Sequence, residues 1–154
     1  MRTTSTMRPQ TPFAIEHPLS PALDRTLAYW RDLLRGEATI PFADDVNMAK
    51  VEAQADNVFI LGVFEKPRRF RLELVRLPAA PDVEAELAGR FIDEVDLPSP
   101  LQFLSSQAAA AAEGQTPTVY EHRPHGAERG YGRVLLPAWG EGHVSLLLGA
   151  VEFR

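Results

Sequence analysis

Cysteine is absent from the 154 residues of this chain. Disulfides, thiolate nucleophiles and thiolate metal sites are therefore excluded, and the absence suits a reducing compartment. Positive charge is scarce too: 16 Lys and Arg against 21 Asp and Glu leave a formal net charge of −5. Nucleic-acid binding, which needs a basic surface to meet phosphates, is not expected. Long apolar runs are also missing. Val144–Val151 is the longest, includes Ser145, and falls well short of the ~20 residues that cross a bilayer. The opening MRTTSTMRPQTPF has basic residues but no apolar core of signal-peptide length. These absences point to a cytoplasmic protein with no membrane insertion. The chain has no room for a kinase, a nucleotide cyclase or a separate DNA-binding domain, so any signalling must run through a partner.

What is present is an ordinary globular composition, 45% apolar and 24% charged, enough for one domain with its own core. Two pairs of strand-like segments stand out. Val58–Phe64 (VFILGVF) turns at Lys66-Pro67 into Phe70–Leu77 (FRLELVRL), and Arg133–Trp139 (RVLLPAW) turns at Gly140-Glu141-Gly142 into His143–Phe153 (HVSLLLGAVEF). Neither hairpin can bury its apolar face alone. With a further strand at Thr118–His122, the simplest arrangement is one shared sheet with the intervening helices across one face. The fold class read from this pattern is α+β, a five-stranded antiparallel sheet with helices on one face and an N-terminal amphipathic helix on or near the other.

Residues 1–19 carry Pro, Thr and Ser without periodicity and read as a flexible arm; residues 20–154 read as a single domain. Its first helix, within 20–36, has Ser20 as N-cap, Pro21 at the first helical position and Gly36 as the stop. Leu23, Leu27, Trp30 and Leu34 fall on one face of it. Ile40-Pro41-Phe42 reads as extended, and Asp45–Ala55 as a short helix. Later helices are expected at Asp82–Ala88 and Leu101–Glu113, the second rich in alanine and stopped by Gly114. Pro137 cannot donate to a ladder, so a bulge or lost pairing is expected at that point of the fourth strand.

The order and spacing of Leu27–Gly36 (LAYWRDLLRG), Phe70–Leu74 (FRLEL), Leu87–Leu97 (LAGRFIDEVDL) and Val134–Val151 (VLLPAWGEGHVSLLLGAV) resemble PAS domains, and within them a group of small stand-alone bacterial PAS-like proteins. The resemblance runs from Leu23 to Phe153. It departs at Arg76-Leu77-Pro78-Ala79-Ala80-Pro81, where related chains carry a Gly-Thr turn. The resemblance implies a sensory or protein-interaction module in signal transduction and no enzyme. It leaves the cofactor unknown. A flavin–cysteine adduct or a thioester-linked chromophore is excluded for want of a thiol, and the absence of histidine from Leu101–Glu113 argues against haem, leaving Met48 or a loop residue as axial candidates.

The candidate ligand pocket of such a cup comprises Phe70, Leu72, Phe91, Phe103, Leu104, Gln107, Leu135 and Leu148, with Gln107 or a neighbouring serine orienting a small molecule. An ordinary packed core is the competing reading. Val144, Leu146, Leu148 and Ala150 are taken to face the helices, and Leu147 and Val151 the opposite side. Leu147 and Val151 with Leu23, Leu27, Trp30 and Leu34 then form a candidate interface for a homodimer or a signalling partner, or simply pack within the chain. His122 and His125, near Glu121 and Glu128, lack a fixed third metal ligand and read as a solvated turn. Tyr120, Tyr131 and His143 read as half-buried strand residues with wet tips. The cluster Lys66, Arg68, Arg69 and Arg71 reads as a solvated face. Two further readings stay open. One is a small cone-shaped α+β isomerase or hydratase, whose only candidate carboxylates are Asp93, Glu94 and Asp96. The other is a structural adaptor that binds no ligand.

Overall fold

The computed structural model describes residues 13–127 and 129–154. Five antiparallel strands form one sheet: β1 (Asn57–Phe64), β2 (Arg69–Arg76), β3 (Thr118–His122), β4 (Tyr131–Gly140) and β5 (His143–Phe153), in the spatial order β2-β1-β5-β4-β3. The two hairpins therefore do merge, through pairing of β1 with β5. The β4–β5 turn places Glu141 (φ 53°) and Gly142 (φ 86°) between the paired Gly140 and His143. Two successive positive φ values match the right-handed twist of the flanking strands, which is why glycine sits there.

Helix α1 (Pro21–Asp32) covers one face of the sheet. Leu23, Leu27 and Trp30 are buried there with Val58, Val134, Leu136, Leu148 and Ala150. Helix α2 (Met48–Glu52) adds Val51 to the same layer, preceded by a 3-10 turn at Ala43–Asp45. Helices α3 (Pro81–Leu87) and α4 (Leu104–Gly114) lie on the other face, over Phe59, Leu61, Leu72, Leu135, Leu147 and Val151. The protein is thus α+β, with a five-stranded antiparallel sheet, helices α3 and α4 on one face and the amphipathic N-terminal helix on the other.

Several boundaries differ from the sequence reading. α4 starts at Leu104, because Pro98–Leu101 closes a turn through the Leu101 N–H and Pro98 carbonyl, and Phe103 follows in the left-handed region. Ser20 flanks α1 but its hydroxyl makes no capping hydrogen bond. Of the arm expected over 1–19, residues 1–12 lie outside the described residues. Phe13 lies at the β3 edge, its carbonyl accepting from the Val119 N–H at 2.8 Å.

Pro137 stays in register with Leu147, and the irregularity falls one residue later, between Ala138 and Trp139. The physical reason is local. β3 pairs with β4 only as far as Leu135, so Pro137 lies where no β3 partner needs its missing N–H. Its carbonyl accepts from the Trp30 indole at 2.8 Å, which ties α1 to the sheet.

Candidate functional site

The space between α4 and the sheet is where the sequence places a ligand pocket. Phe70, Leu72, Leu104 and Leu135 do meet there, all buried, alongside Ala108, Ala111 and Ala112. The alanine face allows the helix backbone to approach the strands, and these side chains close-pack against each other. Five surface clefts among the described residues are lined by other side chains.

Gln107, expected to orient a ligand, is committed within the protein. Its amide nitrogen donates to Thr118 Oγ1 at 3.1 Å and to the Arg133 carbonyl at 3.2 Å, while its oxygen accepts from Arg133 Nε at 2.8 Å. Leu148 belongs to the opposite face, against α1. Leu147 and Val151, expected on the interface side, lie in the core beneath the helices. All three misplacements have one cause. A bulge skips Ser145, pairing Trp139 with Val144 and Ala138 with Leu146, and one extra residue moves every later side chain to the other face.

Phe91 and Phe103 are not pocket residues either. Phe91 lies at the β2 rim with the Arg69 guanidinium 3.9 Å from its ring centroid and Phe64 at 5.5 Å. Phe103 is 63% exposed, its ring 5.8 Å from that of Tyr120. It holds φ 60°, ψ 20° at the start of α4, a conformation that costs a non-glycine residue roughly 1–3 kcal/mol.

The candidate interface is resolved in favour of internal packing for its central residues. Leu23, Leu27 and Trp30 are at most 3% exposed and are used up against the sheet; Leu34 is partly buried at the margin of the same layer. What α1 and α2 leave open on this side is the far end of the sheet. There Ile60, Gly62, Phe64, Glu73, His143 and Leu146 line a shallow groove of about 440 Å³. Phe64 is 37% exposed.

The arginines beside this groove are paired. Arg69 forks onto Asp93 at 2.9 and 3.0 Å and also reaches Glu94; Arg71 bonds Glu73 at 2.8 Å; Arg68 bonds Glu65 at 3.1 Å. The Arg69 partnership holds the Asp93 carboxyl below its ordinary range. Asp93, Glu94 and Asp96 are exposed, so none of these carboxylates lies inside the helix–sheet interior.

Arg133 is the residue sequence reasoning missed. It is fully buried on β4, facing α4. Besides the Nε bond to Gln107, Nη1 donates to the Pro100 carbonyl at 2.9 Å, and Nη2 has no hydrogen-bond partner among the described residues. The guanidinium lies 4.9 Å from the Tyr120 ring centroid and 6.0 Å from that of Tyr131. Among the described residues no carboxylate pairs with it. Burial pushes its pKa down to about 10, so it remains a cation at neutral pH, a costly species in an apolar interior. A signal did exist: with Leu135 assigned to the helix side, the period of two puts Arg133 and Tyr131 there as well.

Tyr131, expected to have a wet tip, is fully buried and donates to Gln102 Oε1 at 2.7 Å; burial pushes its hydroxyl up to about 12. His122 stacks on Tyr131 at 5.0 Å, with Nδ1 3.2 Å from the Tyr120 hydroxyl oxygen. His125 is exposed. Among the described residues no group of three or more His, Asp or Glu could hold a metal ion, and Glu128 lies outside them. No helix among the described residues is long and apolar enough to cross a membrane. Comparison with family models, curated proteins and solved structures found no match to this chain.

Proposed function

We propose that this chain is a PAS-like interaction module in signalling, acting through a bound partner and not by catalysis. The observation that carries the reading is the end of the sheet beside α1 that the described residues leave uncovered. Ile60, Phe64 and Leu146 present apolar surface there, flanked by Glu73 and His143. An apolar strip with a polar margin on an otherwise covered sheet is the kind of surface that protein partners bury.

A photo-crosslinking residue placed at Phe64, compared with one at exposed Glu86 on α3, tests this in the cells that make the protein. A discrete covalent adduct is expected from position 64 and none from 86. Its mass distinguishes a second copy of the chain from a different protein. Equal adducts at both positions, or none at 64, would refute the reading.

A further inference from the structure

We infer that Arg133 anchors a binding site for a small monocarboxylate bearing an apolar or aromatic group, entered beside Phe103. Nearly all buried donors in proteins have an acceptor, yet Arg133 Nη2 is buried without one. Among the described residues the interior also lacks the negative charge that accompanies most buried cations. A carboxylate supplies both, through a charge-assisted hydrogen bond.

The class of anion follows from which donors remain. Nε is engaged by Gln107 and one hydrogen of Nη1 by the Pro100 carbonyl, so Nη2 is the one guanidinium nitrogen with both hydrogens on offer. Phosphate groups are held by several converging donors and carry close to two charges; a single nitrogen in a protein of net charge −5 is poorly matched to them. The rest of the ligand meets rings. Tyr120 and Tyr131 flank the guanidinium, and Phe103 leans on Tyr120.

Phe103 is the exposed member of this cluster and is held at a backbone conformation unusual for a bulky residue. Two unfavourable features, an exposed ring at positive φ and a buried unpaired cation, thus meet on Tyr120. Rotation of the Phe103 side chain off Tyr120 admits the ligand with the Gln107–Arg133 hydrogen bonds intact. This inference is independent of the partner groove, which lies on the opposite face of the sheet.

The test is a benzoate titration of the ¹⁵N-labelled protein at constant ionic strength, with sodium chloride as control. It follows the Arg133 side-chain N–H signals and the thermal midpoint. A saturable shift of the Arg133 signals is expected with benzoate, weaker with acetate and absent with chloride, together with a rise of a few degrees in the midpoint. Arg133→Met should lose the rise. Phe103→Ala, which leaves Arg133 in place, should speed benzoate association severalfold. No saturable Arg133 shift in the wild-type protein, or the same rise with chloride or in Arg133→Met, overturns the site. An unchanged association rate in Phe103→Ala overturns the entry route.

Discussion

Gly149 and Phe59 offer a decisive test of the packing beneath the helices. They are cross-strand partners between β5 and β1. A methyl group added at Gly149 would lie 2.2 Å from Phe59 Cζ and within 2.5 Å of both Cε atoms. Carbon atoms not bonded to each other rest at about 3.5–4.0 Å, so the ring would have to move by more than an ångström. Phe59 is fully buried, and close-packed interiors resist such shifts. Gly149→Ala should therefore fall at the top of the overpacking range, about 3 kcal/mol. For a domain of this size that corresponds to a thermal midpoint about 6–12 °C lower. Phe59→Leu alone should cost about 1.5 kcal/mol through lost apolar contact. The double variant is the informative one: with the ring gone, the new methyl has space, and the combined cost should be about 2 kcal/mol, well below the sum. Urea denaturation of the four proteins measures the coupling. Strict additivity would show that the ring does not occupy the space above Gly149, and the register of β1 on β5 would be wrong.

Trp30→Phe removes the indole donor from the Pro137 carbonyl and leaves a buried acceptor unpaired; a loss of about 1–3 kcal/mol is expected in urea unfolding, and a change within ~0.5 kcal/mol, ordinary for a surface site, would contradict the α1–β4 tie. Tyr131, one of three tyrosines, should release its proton late, near the value of about 12 that burial imposes. Because the unfolded chain ionises this group near 10, the folded state should lose stability progressively from about pH 10 to pH 12. Phenolate absorbance checks the first point and urea denaturation across that pH range the second, and a Tyr131→Phe protein that keeps the late-titrating step would refute the assignment.

Much of the architecture was legible as pattern. Phe70 and Leu72 alternate cleanly with Arg69 and Arg71, the Gly140–Gly142 turn has glycine at a positive φ, and Leu23, Leu27 and Trp30 share a helical stripe. These are local signals, written within a few residues, and strands, turn and helix all follow them. The candidate site was less legible because it depends on parity carried along a strand. One bulge at Ser145 reversed the faces of Leu147, Leu148 and Val151. Phe103 carries an apolar side chain, but whether it points inward depends on where α4 starts, and that start is set by the turn at Pro98–Leu101.

Composition and periodicity thus settled the element types, the hairpins and the amphipathic stripe, because hydrophobic spacing and turn chemistry act over short distances along the chain. Three-dimensional packing decided which face of β5 meets α1, that Trp30 completes Pro137, and that Arg133 is buried with Gln107 and, among the described residues, no carboxylate. Those outcomes depend on residues far apart in sequence, such as Trp30 with Pro137 and Gln107 with Arg133, whose partnerships exist only once the strands have found their register.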